Sequence, residues 1–144
     1  MITSAQYFGA KPHTPEHEED AADLLARVNA LVDEAVEDGA FTPTQCPNTG
    51  SEISGSKGGS GDGGFRLQTA TTGSPNSSHK QARAVDVYDP LNRLDEWLDA
   101  FEFGVGDNTM LAKHGLYREA PHATPTWCHM SNRAPGSGRR TFNP

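Results

Sequence analysis

The stretch SSHKQARAVDVYDP, residues 77–90, sets His79 seven positions before Asp86, and the aspartate lies between two valines where a strand buries its side chains. In a strand, Val85 and Val87 point to one face and Ala84, Asp86 and Tyr88 to the other, so Asp86 faces a groove or a partner while the valines fill a core. A carboxylate withdrawn from water needs a cation, several hydrogen-bond donors or a metal. His129, inside TWCHMS, has apolar and aromatic neighbours and raises the same question. Two imidazoles and one carboxylate form a three-ligand catalytic zinc set that leaves the fourth tetrahedral position for water. Zinc there would bring the pKa of that water to about 7 and polarise a carbonyl, which is the equipment for amide hydrolysis. The same residues also fit a plainer arrangement, with His79 paired to Asp86 and His129 a satisfied core histidine. Spacing alone does not choose.

Cys128 neighbours His129, but adjacent strand residues point to opposite faces, so a metal-facing His129 turns Cys128 toward the core as a small buried hydrophobe. Trp127 is expected on the Cys128 side or at the rim. His13, His17 and His114 have no partner spacing and read as exposed or helix-terminal. With only Cys46 and Cys128 and no CxxC spacing, free thiols are the expected state.

The elements that would position these groups follow from periodicity. Leu24, Leu25, Val28, Leu31, Val32 and Val36 share one helical face over about 18–38, with acids at the start and Gly39 as a stop. A second amphipathic helix is predicted over about 90–102 (Leu91, Leu94, Trp97, Leu98, Phe101), ending at Gly104. DNTMLAKHG predicts a third, short helix capped by Asp107 or Asn108 and closed by Gly115. ARAVDVYDP, LYRE and TWCHMS read as strands. Between 42 and 64 the composition turns to Gly, Ser, Pro and Thr, and SEIS and GFRLQT on either side of the glycines suggest a glycine-rich hairpin or omega loop. No GK[ST] follows the glycines, which excludes a P-loop. Residues 1–17 read as an extended arm that docks Tyr7 and Phe8, and 134–144 as a solvated tail.

With 144 residues the chain suits a single domain, and 15 glycines and 10 prolines make it loop-rich. A net charge of -7 argues against nucleic acid as a partner, since the only basic cluster is Arg133, Arg139 and Arg140 near the C-terminus. No apolar run approaches the roughly 20 residues that span a bilayer, and the first residues lack the pattern of an export signal. The expectation is a protein made in the cytoplasm without membrane insertion.

The quoted segments carry a resemblance. SPNSSHKQARAVDVYDP resembles the SxHxxGxAxD motif of the zinc peptidases that include D-Ala-D-Ala carboxypeptidases and phage L-alanyl-D-glutamate endopeptidases, whose fold is shared with the hedgehog signalling domain. WCHMS resembles the late W-x-H strand of that family, and ISGSKGGSGDGGFRLQT a glycine-expanded form of its S-G-x-R segment. The three pieces stand in the family order over about 52–133, and the wider layout is similar to small stand-alone phage and prophage proteins of carboxypeptidase-like description. The resemblance implies zinc held by His79, Asp86 and His129, and an Arg66 that grips a substrate carboxylate or the developing oxyanion, a task suited to a planar guanidinium. Two positions depart from the pattern. Ala82 stands where the family often has glycine, which asks for a less unusual backbone angle. Thr126 and Trp127 occupy the positions of the usual general base. Glu119 and His122, in the turn leading to the His129 strand, are the nearby substitutes, with Glu119 preferred because a carboxylate can take a proton from water and return it to a leaving amine.

The expected architecture is therefore α+β: a small antiparallel sheet carrying a zinc site, flanked by helices on its other side. The expected function is zinc-dependent cleavage in the peptide stems of bacterial peptidoglycan by a phage or prophage protein. Such a protein would reach the wall through membrane lesions or travel in the virion. The rival readings are a non-catalytic zinc module binding cell wall or virion proteins, and a metal-free structural domain of a phage particle.

Overall fold

Thr14 and His17 open the longest element. The Thr14 hydroxyl accepts from His17 N–H and the His17 ring accepts from Thr14 N–H, a reciprocal cap that starts helix α2 (Pro15–Glu37), with Pro15 in its first turn. The computed structural model describes residues 1–56 and 62–144, so the tip of the glycine-rich hairpin expected over 42–64 lies outside the described residues. The expected arm is not extended throughout. Thr3 and Gln6 cap a short helix, α1 (Ser4–Phe8), and residues 15–17 already belong to α2. Tyr7 and Phe8 dock as expected, and the Tyr7 hydroxyl donates to Ala84 O at 2.8 Å.

Six strands follow. β1 is Ala84–Tyr88, β2 Glu102–Phe103, β3 Asp107–Asn108, β4 Tyr117–Glu119, β5 Trp127–Ser131 and β6 Thr141–Phe142. The main sheet has the order β1-β5-β4-β6. Its first three strands are antiparallel, but β6 runs parallel to β4, so the sheet is mixed and not the purely antiparallel one expected. The reason lies in the C-terminal residues. Instead of a solvated tail they return to the sheet, where Arg118 N–H donates to Arg140 O and Ala120 N–H to Phe142 O. Arg140 also lays its guanidinium 4.3 Å over the Tyr117 ring. On the opposite edge, the SEIS segment contributes a single bridge, Ile53 to Val87.

Helix α3 (Arg93–Asp99) is shorter than the predicted 90–102 at both ends. Asp89, not Pro90, sets its start: the carboxylate accepts from the N–H groups of Arg93, Leu94 and Asp95 at 2.8, 2.9 and 3.4 Å. Leu91 is left exposed ahead of the helix, and at the far end the chain peels into the β2–β3 hairpin. Asn108 caps α4 (Thr109–Lys113) through Leu111 N–H, as its sequence suggested.

The core lies on one face of the sheet. Leu24, Leu25, Val28, Leu31 and Val32 of α2 are buried with Leu94 and Leu98 of α3 against Val85, Val87, Cys128 and Met130, each large aliphatic contributing about 1.5–3 kcal/mol. Val36, the last residue of the predicted face, is exposed. With the apolar side chains drawn to that face, alternation leaves Asp86 and His129 on the other. Among the described residues no helix is long and apolar enough to cross a membrane.

Candidate metal centre

Asp86 on β1 and His129 on β5 are directly paired across the sheet, and paired residues project from the same face. The alternation that sends Val85, Val87, Cys128 and Met130 into the core therefore sets these two side by side on the opposite surface. His79 comes from the 3-10 turn Ser78–Gln81 just before β1. The chain reverses from that turn into the strand at Ala82, whose φ of 57° is left-handed. Ala82 thus carries the backbone that glycine favours, contrary to the expectation that alanine would go with a more ordinary angle; its methyl is fully buried, and that packing holds it there.

His79, Asp86 and His129 form a buried triad able to hold a metal ion, with one ligand atom of each lying within 4.8 Å of the others. Asp86 Oδ1 is 2.9 Å from His129 Nδ1 and 3.3 Å from His79 Nε2. A tetrahedral ion about 2.1 Å from nitrogen and oxygen ligands separates those ligand atoms by about 3.4 Å, so the set is close to its liganded spacing. His79 Nδ1 lies 2.9 Å from the Gly64 carbonyl, which fixes the proton on that nitrogen. The Nε2 of a neutral His79 is then a lone pair facing a carboxylate oxygen, an arrangement that calls for a proton or a metal cation. The donor chemistry and the spacing both fit a metal.

The segment behind the triad is glycine for a steric reason. Asp86 N–H donates to Gly63 O at 2.8 Å and Phe65 N–H to Tyr7 O at 3.1 Å. A Cβ on Gly63 would overlap the Ser54 carbonyl, and one on Gly64 would come within 2.7 Å of Tyr7 O. Only glycine threads this gap and brings Arg66 to the site. Arg66 Nη2 stands 3.9 Å from Asp86 Oδ2, while its Nε donates to the Asp62 carbonyl.

Burial by itself would raise the Asp86 carboxyl, but the two imidazoles outweigh it, and its pKa is held well below the usual carboxylate range. Burial by itself would lower the His129 imidazole. Its bond to Asp86, helped by the Asp86 and Glu119 charges, prevails and raises it. Cys128 faces the core, free and fully buried, and burial pushes its thiol well up, so it offers no thiolate to a metal.

The triad lies in a cleft of about 410 Å³ lined also by Arg66, Glu119, Trp127, Ser131 and Phe142. Of the two substitute bases, Glu119 ends β4 on the cleft face, whereas His122 stands exposed on the turn Pro121–Ala123 outside the lining. Trp127 sits at the rim. His17 and His114 are helix-terminal, His114 bonding Glu34 at 3.0 Å, and His13 stacks on Phe8 at 3.8 Å. Arg133, noted in the sequence only as part of a basic cluster, and Phe142, in the expected solvated tail, also line the cleft. Arg133 stands two residues past the end of β5, where strand alternation no longer assigns a side chain to a face. No family model, curated protein or solved structure matches the chain.

Proposed function

We propose that this protein is a zinc-dependent peptidase acting on the peptide stems of bacterial peptidoglycan, in carboxypeptidase or endopeptidase mode, and that it is of phage or prophage origin. The observation that carries the reading is the meeting of His79, Asp86 and His129 in a cleft that also holds Arg66, Arg133 and the carboxylate of Glu119. A set of two imidazoles and one carboxylate suits zinc, and leaving a coordination position open is the mark of a catalytic rather than a structural site. Bound there, zinc would supply a nucleophile from water near neutral pH and polarise the scissile carbonyl. The sequence resemblance to D-Ala-D-Ala carboxypeptidases and their relatives supplies the substrate class.

The chain's own residues divide the remaining work. Arg66, fixed by its bond to the Asp62 carbonyl, offers its amino groups to a carboxylate or to the negative charge that develops on the carbonyl oxygen. Glu119 accepts a proton on its carboxylate and returns it to the nitrogen of the leaving amine. Gly64 O holds the proton on His79 Nδ1 throughout, keeping Nε2 free as a ligand. Trp127 and Phe142 line the cleft with aromatic surface that limits water at the scissile bond.

Digestion of purified peptidoglycan by the zinc-loaded protein tests this. New free amine or released D-alanine is expected, and Glu119→Gln should lower kcat by about 10²–10⁴-fold while metal content by elemental analysis stays at one ion per chain. If the loaded protein sediments with sacculi but releases nothing, the peptidase reading fails and the non-catalytic wall-binding module takes its place.

A further inference from the structure

We infer that Arg133 is a specificity-determining residue that holds a second carboxylate of the substrate, so that the cleft selects peptides carrying two carboxylates, one at Arg66 and one at Arg133. The inference rests on the peptidase reading for its substrate class and on separate geometry for its assignment.

The two arginines come from different parts of the chain and bracket one loop. Arg66 Nη1 lies against Gly73, where a Cβ would stand only 2.7 Å away. Arg133 Nη1 donates to Asn76 O at 2.9 Å and to Gln81 Oε1 at 2.8 Å. Its backbone is fixed as well: Ser131 Oγ accepts from Arg133 N–H at 2.9 Å and donates to Arg133 O at 3.2 Å. Among the described residues, the Nε and Nη2 of Arg133 have no partner, although the residue is partly buried and lines the cleft. A guanidinium tied down through one amino group, with its other donors uncommitted, is prepared for a planar anion, and the ordering entropy has already been lost.

The charge pattern identifies the class of anion. The lining of this cleft combines the cations Arg66 and Arg133 with the acids Asp86 and Glu119, in a chain of net charge -7. A dense run of phosphates would meet those acids, whereas isolated carboxylates spaced along a peptide would not. Wall stem peptides of the kind named above carry two separate carboxylates, one C-terminal and another on glutamate. An arginine that merely tied the 73–77 loop to the end of β5 would show no preference between a carboxylate and its amide.

The test is equilibrium titration of the zinc-loaded Glu119→Gln protein, which leaves peptide intact, with a synthetic stem peptide bearing both carboxylates and with its singly amidated forms. The dicarboxylate is expected to bind at least about tenfold more tightly than one of the amides. Arg133→Gln should erase that preference while the affinity for the amide stays within about twofold and the zinc content is unchanged. A preference that survives in Arg133→Gln, or no preference in the parent, overturns the assignment. Failure of the peptidase reading is seen separately, as an absence of released amine when wild-type protein is given the same peptide.

Discussion

Two buried polar clusters sit on opposite faces of the same sheet, one on β1 and β5 and the other on β4, and they are built to opposite ends. On the cleft face, His79, Asp86 and His129 are each less than a tenth exposed and share one carboxylate oxygen between two ring nitrogens. On the core face, Arg118 of β4 is 1% exposed and uses every one of its donors. Nε bonds Thr141 Oγ1, Nη1 bonds the main-chain and carboxylate oxygens of Asp95, and Nη2 bonds Asp99 and Glu102. That cluster is closed at its cation: Arg118 ties α3 and the β2–β3 hairpin to the sheet and keeps no donor for a ligand, although Asp95 Oδ2 is left unbonded. The triad is open, since its lone pairs converge without enough protons to satisfy them. Burial of charge is common to both, so burial cannot distinguish a functional site from a structural one. What distinguishes them is whether a cation belonging to the chain already occupies the centre, as Arg118 does, or the acceptors converge with none between them.

The comparison is sharpest in paired substitutions. Arg118→Met leaves three acids without their cation, two of them at least partly buried, and should cost about 3–5 kcal/mol in urea unfolding while one zinc per chain is still bound. Asp86→Asn should do the reverse, weakening zinc at least about 100-fold while costing the metal-free protein less than about 2 kcal/mol. At zinc concentrations 100 times the wild-type Kd, the wild type should gain about 2.7 kcal/mol and Asp86→Asn at most about 0.4 kcal/mol. Equal destabilisation by the two substitutions in metal-free protein would remove the distinction between the clusters.

A smaller effect comes from pH. Burial pushes the Asp95 carboxyl up to about 6 despite the Arg118 charge beside it, and its Oδ2 has no hydrogen-bond partner. Between the unfolded value near 4 and about 6 the native state therefore holds a proton that the unfolded chain has lost, so stability falls as pH rises through that window and levels off above it. The loss is about 3 kcal/mol. Unfolding free energies of wild type minus Asp95→Asn, measured from pH 4 to 7, isolate it from the other carboxylates. A difference that stays flat or rises over that range would mean that Arg118 outweighs burial.

Much of the cleft face was legible in the sequence because a strand's period of two is insensitive to tertiary detail. Placing Val85 and Val87 in the core put Asp86 on the other side, and placing His129 there assigned Cys128 to the core. The closed cluster was not legible. Arg118 stands at a core position inside LYRE, and nothing local announces that its partners arrive from α3 and from β2. Strand β6 was hidden for a related reason: Thr141 and Phe142 are held largely through the main chain of β4, which leaves no apolar alternation to read. Arg133 could not be placed in the cleft from the sequence because it lies past the end of β5, in a bend with no alternation to read.

The smallest predicted effect concerns the residue that joins the two faces. Ala82 turns the chain from His79 into β1 with a left-handed backbone, and its methyl is fully buried. Ala82→Gly relieves about 1–2 kcal/mol of left-handed strain. Against this, glycine loses about 0.5–1 kcal/mol through the flexibility of the unfolded chain and about 0.8 kcal/mol through the missing methyl. The contributions nearly cancel, so the net change should be within about 1 kcal/mol of zero. Ala84, equally buried two residues later but in regular strand, has no strain to relieve, and Ala84→Gly should cost about 1–2 kcal/mol more than Ala82→Gly. Urea midpoints of the two variants decide the matter. Matching losses would mean that the left-handed turn behind His79 stores no strain, and that the cleft face is as relaxed as the core face.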